Sequence, residues 1–347
     1  MMKRFILYMG KCFIAAVVSI AILSALSMAY FNPPIAVEQP DGSTNYKFIP
    51  NSNWSYMLEG FGNGKTDDMG YNNTYYEDCS KPDVVFAGSS HLEATHVSHD
   101  ANCVYLLNEM FDKDDITNNN FKCLNIGISG HFFETTASNY QYIATKFNGA
   151  KYVVIELFNA EYSPEVLDKI IRDEFHEPME EKGFLHKIMQ KIPFVRLMYK
   201  KINETIADQD SSVATDTENK DSVDKQAEIN VYTEKMNVIL SEIAEISAEN
   251  GIVPIIFMHE RFWVNTEFEI IMETDETYKN AFKQCCENND IKVVDVSSEM
   301  VNEYKENSAY SYGFSNSAPG EGHLNTTGHR IVAEAVYKCI NEMEATK

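Results

Sequence analysis

From residue 83 onward the chain alternates short apolar runs with amphipathic segments, and that alternation leaves few folds open. The runs are Asp83–Ala87, Phe121–Ile126, Tyr152–Leu157, Ile252–Met258 and Ile291–Val294. Each is almost continuously apolar, as parallel strands covered on both faces are. Between and after them lie helix-like segments at about 92–110, 133–148, 227–249, 272–288 and 326–343. In the third, Met236, Ile239, Leu240, Ile243 and Ile246 recur at helical spacing. The pattern predicts a doubly wound α/β sandwich around about five parallel strands. With 44% hydrophobic residues the chain can fill such a core.

One stretch breaks the alternation. Residues 160–226 are too many for a simple crossover and read as an insertion. Its first part, Tyr162–Ile206, is amphipathic, with Phe184, Leu185, Ile188, Ile192 and Leu197 available for packing. Its second part, Ala207–Lys225, is rich in Asp, Ser, Thr and Lys and reads as a mobile loop. A lid, a partner-docking element and a membrane-surface element all fit such an insertion.

The N-terminus reads differently. Cys12–Phe31 is a run of 20 residues without a charge. At about 1.5 Å per residue it spans about 30 Å, the hydrocarbon thickness of a bilayer. Lys3, Arg4 and Lys11 precede it and Asn32-Pro33-Pro34 close it. The basic flank predicts a cytoplasmic N-terminus and an extracytoplasmic remainder. A signal peptide cleaved near Ser27-Met28-Ala29 is the rival, but the run exceeds the usual 7–15-residue signal core, which favours an uncleaved anchor. The expected division is therefore 1–31 for the cytoplasmic N-terminus and anchor, 32–82 for a stalk and irregular lead-in, and 83–347 for the catalytic domain.

The net charge of −23 argues against nucleic acid as a partner, since no broad basic face is available. Six cysteines lie beyond the anchor: Cys79, Cys103, Cys123, Cys285, Cys286 and Cys339. An even number outside the cytoplasm permits disulfides, and buried thiols fit equally well. Their spacings match no zinc pattern, and the histidines near the first two strand ends lack a His-Glu-x-x-His spacing, so neither metal nor cofactor is expected.

Chemistry is expected at the carboxyl ends of the strands. The first strand runs into Gly88-Ser89-Ser90-His91, where a serine opens a helix and either serine can cap it. The second runs into Asn125-Ile126-Gly127-Ile128-Ser129-Gly130, and the Gly130 N–H is a candidate oxyanion donor. The third ends at Asn159, whose amide is a second candidate donor. Near the C-terminus, His323 stands in a polar turn before a helix capped by Asn325 and is a candidate base for a serine. Arg261 follows the fourth strand and His91 the first; both are candidate substrate contacts.

In this order the segments resemble the blocks of the SGNH hydrolases, the GDSL-type esterase and lipase superfamily. Gly88-Ser89-Ser90 matches the glycine–any–serine block, Gly130 the oxyanion glycine, Asn159 the oxyanion asparagine, and His323 in Gly322-His323-Leu324-Asn325 the histidine block. The resemblance covers about Asp83 to the C-terminus and implies a three-layer, flavodoxin-like α/β/α fold. It implies Ser90 as nucleophile, His323 as base, and the N–H of Ser90 beside Gly130 and Asn159 in the oxyanion hole. The family places an aspartate three residues before its histidine, but that position here is Gly320. Glu321, one residue on, is the candidate to orient His323, and a Ser–His dyad backed by a carbonyl is the alternative. Together with the anchor, the resemblance implies an esterase or O-acyltransferase acting on acylated cell-envelope polysaccharide. It is similar to the single-anchor proteins of alginate acetylation and teichoic-acid D-alanylation, whose partner is a multi-spanning membrane acyltransferase. A non-catalytic scaffold on the same fold is the other reading.

Overall fold

The computed structural model describes residues 2–38, 46–75, 81–114, 120–175, 191–210 and 222–346. A long apolar helix, α1 (Met2–Tyr30), leads straight into a small antiparallel sheet of β1 (Phe31–Asn32), β4 (Asn53–Tyr56) and β5 (Gly62–Lys65). A two-stranded ribbon of β2 (Ala36–Glu38) and β3 (Tyr46–Phe48) sits between β1 and β4 in the chain. The lead-in expected to be irregular is therefore built of short strands. It is fastened to α1, because Met57 N–H donates to Tyr30 O and the Ser55 hydroxyl to Met28 O.

The main sheet has five parallel strands: β6 (Val84–Ala87), β7 (Cys123–Asn125), β8 (Tyr152–Leu157), β9 (Val253–Met258) and β12 (Lys292–Asp295). Their spatial order is β7-β6-β8-β9-β12, so the winding direction reverses between β6 and β8. That reversal is where an open α/β sheet leaves a crevice for ligands. Alternate residues face two separate cores. Val85, Ala87, Val153 and Ile155 pack on one side; Val84, Phe86, Tyr152 and Val154 pack on the other.

Against the first face lie α4 (Phe133–Ser138), α5 (Tyr140–Lys146), α6 (Pro164–Ile171), α8 (Ser222–Asn250) and α9 (Glu276–Asn288). Against the second lie α3 (Cys103–Asp112), α10 (Ser297–Asn307) and α11 (Thr326–Ala345). The fold is the three-layer sandwich that the sequence predicts, with a hairpin of β10 (Phe262–Val264) and β11 (Ile270–Met272) added after the fourth sheet strand. Part of the insertion forms α6 and another helix, α7 (Pro193–Asp210), which packs on α1 and β1. The loop expected over Ala207–Lys225 contributes the end of α7 and the start of α8, and the residues between them lie outside those described.

The single helix expected over 92–110 is divided. A four-residue helix, α2 (Ser90–Glu93), stops at Ala94, which is left-handed at φ 55°, and α3 begins only at Cys103. The intervening backbone receives the lead-in: Phe61 N–H donates to His96 O. A Cβ on Gly62 would lie 1.9 Å from Thr95 O, so only glycine allows this approach. Gly62→Ala should therefore separate the two surfaces and lower stability by about 1–3 kcal/mol, as overpacking does elsewhere. Urea unfolding, with limited proteolysis of residues 31–75, measures both effects.

Candidate active site

The turn after β6 is shaped by a carboxylate below it. Glu156, from the end of β8, is 2% exposed and accepts hydrogen bonds from the Ser89 N–H (2.5 Å) and the Ser89 hydroxyl (3.1 Å). A Cβ on Gly88 would fall 2.3 Å from Glu156 Oε2, so the glycine makes room for the carboxylate. Ser89 caps α2 through its hydroxyl and is fully buried. Ser90, the first residue of that helix, is only partly buried, and its hydroxyl faces the His323 ring.

His323 meets it. Ser90 Oγ lies 3.0 Å from His323 Nε2, across 233 residues of sequence. His323 Nδ1 lies 2.9 Å from Glu59 Oε2, and the His323 backbone N–H donates to Glu59 Oε1 at 2.8 Å. The carboxylate on the ring is thus Glu59, from the lead-in, and not Glu321. Glu321 is exposed on the turn of Gly320 and Gly322. A Cβ on Gly322 would sit 2.1 Å from Glu59 Oε1, so the glycine beside His323 makes space for the acid. Asn316 fixes the Glu59 loop by accepting from Gly60 N–H and donating to the Met57 and Gly60 carbonyls. With Nδ1–H donating to Glu59, Nε2 is left to accept the Ser90 proton.

A second imidazole shares the acid. His96 stacks on His323 with centroids 3.6 Å apart and an interplanar angle of 11°, and its Nε2 is 3.8 Å from Glu59 Oε2. Burial, and then the nearby His323, push the His96 pKa down to about 3, so it stays neutral. Each of Glu59, His96 and His323 brings one ligating atom within 4.8 Å of the others. Stacked rings share no in-plane point, however, and an imidazole binds metal in its own plane. The geometry suits an acid that orients and balances an imidazole better than a cation site.

The second strand's turn comes alongside. Ser129 N–H donates to the buried Glu93 carboxylate of α2, and Ile128 N–H to Gly88 O. Gly130 is left-handed at φ 85°, and its N–H makes no hydrogen bond to another described residue. The Ser90 N–H is likewise unengaged among the described residues. Asn159 accepts the Glu161 N–H on its carboxamide oxygen at 2.7 Å, which leaves Nδ2 as a donor. It lines a cavity of about 150 Å³ with Ser89, Phe132, Phe133, Phe158 and Tyr162.

The remaining candidates serve the frame. His91 is 5% exposed; its Nδ1 accepts the Leu324 N–H, and burial drives its pKa well below the ordinary histidine range. It is a neutral strut under the His323 turn and not a substrate contact. Arg261 is held by both Glu273 oxygens and lies 5.3 Å over the Phe158 ring, so its charge is already matched. Sequence reasoning missed Glu59 and Glu156, and it noted His96 only within the cluster of His91, Glu93, His96, His99 and His131 near the first two strand ends. Glu156 alone left a signal, as an acidic residue inside an otherwise apolar strand.

No family model matches the chain, and no curated protein matches it. Solved structures do. An acetyl xylan esterase is 13% identical, covering 74% of this chain and 98% of its own, at a TM-score of 0.41. A putative acylhydrolase from Bacteroides fragilis is 14% identical, covering 76% and 90%, at 0.35. A member of the lipolytic G-D-S-L family from Veillonella parvula is 11% identical, covering 74% and 96%, at 0.37. These are likenesses of chain path, and what the site can do rests on its own geometry.

Burial raises the Glu59 pKa, but the hydrogen bonds and charge of His323 outweigh it and hold the carboxyl at about 2, below its ordinary 4.5. A folded-state pKa below the unfolded value stabilises the fold above about 4.5, and that contribution is lost as pH falls towards about 2. Wild type should therefore exceed Glu59→Gln in stability near neutrality and converge with it across that window. Urea unfolding of both proteins at stepped pH is the measurement.

Proposed function

We propose that the protein is a membrane-anchored, extracytoplasmic serine esterase or O-acyltransferase acting on acyl esters of cell-envelope polysaccharide. The observation that carries the chemistry is the unbroken Ser90–His323–Glu59 array, at 3.0 and 2.9 Å. Ser90 Oγ attacks the ester carbonyl while His323 Nε2 takes its proton. Glu59 holds the ring in the tautomer that leaves Nε2 free and balances the imidazolium that forms. The N–H groups of Ser90 and Gly130 and the Asn159 amide are the donors for the tetrahedral oxyanion. The intermediate collapses, the alcohol leaves with the His323 proton, and an acyl group remains on Ser90. His323 then deprotonates water, giving hydrolysis, or a sugar hydroxyl, giving transfer. The cavity beside Ser89, of about 150 Å³, offers space for a short acyl group.

The anchor reading is supported by the way α1 ends. Its 27 residues Arg4–Tyr30 are apolar enough to cross a bilayer, and its side chains are largely exposed. Cleavage after Ala29 would sever the segment whose Met28 and Tyr30 carbonyls fasten the lead-in. The scaffold reading drew its support from the missing aspartate before His323, and the Glu59 carboxylate 2.9 Å from Nδ1 weakens it by offering an acid partner in that place.

Ser90→Ala should abolish turnover of acyl esters, including O-acetylated glycans, by the folded protein. Glu59→Gln should cut kcat by about 10²- to 10⁴-fold, while Glu321→Gln leaves it unchanged. Steady-state kinetics with a chromogenic acyl ester reads all three. Full activity in Glu59→Gln, or labelling by a fluorophosphonate that survives Ser90→Ala, would remove the proposal.

A further inference from the structure

His96 lies against the site and takes no step in its chemistry. Its ring faces that of His323 at 3.6 Å between centroids and 11° between planes. It is buried, and the docking of the lead-in holds it. Tyr56 packs on the ring at 4.6 Å, and Phe61 N–H donates to His96 O. A Cβ on Gly60 would fall 2.0 Å from that same carbonyl. His96 Nε2 stands 3.8 Å from Glu59 Oε2, outside hydrogen-bond reach. Its Nδ1 is buried and meets no hydrogen-bond partner among the described residues. An aliphatic side chain of similar size would fill the space without stranding that nitrogen, so packing alone does not call for an imidazole here.

What the ring supplies depends on the charge of its neighbour. Two uncharged rings gain little from lying square on one another, because their negative faces meet. A positive ring over an uncharged one is a cation on a π-face, and that contact is attractive, more so out of water. His96 is kept uncharged by burial and then by His323, which push its pKa down to about 3. His323 becomes an imidazolium when it takes the Ser90 proton. The stack is therefore stronger in the transition state than before it, and interactions of that kind raise kcat. The other titratable groups within reach of the two rings are Glu59 at His323 Nδ1, His91 at 5.3 Å from His323, Glu93, His329 and Lys200. Burial keeps His91 and His329 uncharged. His91 is tilted by 49° to the His323 ring, whereas His96 lies flat on it.

We propose that His96 is a positioning residue for His323: its uncharged face stabilises the imidazolium that forms as Ser90 loses its proton, and the stack holds that ring in line with Ser90 and Glu59. The inference rests on the Ser90–His323 chemistry proposed above and adds a member to it. No proton passes through His96, which acts only through the ring it covers.

The test uses the full chain in detergent micelles. His96→Leu and His96→Met fill the space without a π-face, and His96→Phe keeps a π-face without the nitrogens. Both aliphatic variants should lower kcat for a chromogenic acyl ester by about 3- to 30-fold, with KM little changed, and His96→Phe should recover most of the loss. NMR of ring-labelled histidine, with the His323 resonance assigned through His323→Gln, reads the contact without turnover. The pH midpoint of His323 protonation should fall by about 0.5 to 1.5 in the aliphatic variants, because their imidazolium has lost its π-face, and stay close to wild type in His96→Phe. Urea unfolding should show the aliphatic variants no less stable than wild type. A merely structural role would instead lower the urea midpoint together with kcat and leave the titration unmoved. An unmoved or raised His323 midpoint in the folded aliphatic variants would overturn the inference, whatever the turnover. A lowered midpoint with turnover that survives Ser90→Ala would sink the chemistry proposed above and not the stack.

Discussion

A buried carboxylate holds the two halves of the site in register. Glu156 binds the Ser89 turn from below, and its Oε1 lies 2.9 Å from His259 Nε2. His259 Nδ1 in turn faces the Tyr312 hydroxyl at 2.6 Å. Tyr312 bridges Leu324, and the next residue, Gly313, donates its N–H to His323 O. A continuous polar chain therefore runs under the pocket from the nucleophile turn to the histidine turn. In so dry a setting an unmet donor or acceptor costs roughly 1–3 kcal/mol, so the chain tolerates few alternative arrangements. This chain and the direct strut of His91 Nδ1 under the Leu324 N–H together set the 3.0 Å spacing of Ser90 and His323.

The acid follows a different logic. Glu59 reaches His323 from a loop 264 residues earlier, in a segment that forms no part of the sandwich. Three glycines admit it. Gly60 and Gly62 let the lead-in press on the backbone of His96 and Thr95, and Gly322 leaves the space in which the carboxylate sits. His96 closes the pair off from one side. Because it stays neutral, the array carries one anion and one proton-accepting imidazole, and the second ring does not compete for the charge of Glu59.

Four of the five sheet strands were legible because they are buried on both faces, which makes their sequences nearly continuous apolar runs; the edge strand Lys292–Asp295 is only partly buried and was read from Val293 and Val294. The serine and histidine turns were legible because glycines, a cap and a helix start punctuate them. The lead-in was not, since strands of two to four residues such as Gly62–Lys65 bury too little to leave an alternating pattern. The break after Glu93 escaped for the same reason: it is imposed by the lead-in docking on it, a tertiary effect with no local signal. Glu59 was invisible as an acid partner because its role depends on that docking. Glu321 was preferred by closeness in sequence, which the left-handed turns at Gly320 and Gly322 make irrelevant in space. The five described cysteines beyond α1 are buried and none is bridged to another described cysteine, so among themselves they behave as small core residues.

The placement of the acid has a consequence for how the site is assembled. Glu59 and the end of α1 belong to one short segment, joined through β1, β4 and the loop of Met57 to Gly60. The same sheet carries Tyr56, which supports His96 on one side and receives Lys200 of α7 on the other. Movement of α1 or α7 relative to the sandwich therefore reaches the Glu59–His323 pair through two or three packed side chains. The nucleophile and oxyanion turns are held by Glu156 and Glu93 inside the sandwich, and the lead-in also meets them, through Asn72 on Glu93 O and Asn73 on Asn125. The serine and the oxyanion donors thus sit on turns of the main sheet, while the acid comes from the part of the chain that meets α1 and is held to the sandwich by Asn316 and by the His323 turn itself. The tautomer of His323 depends on that docking, because the Glu59 carboxylate at Nδ1 sets it.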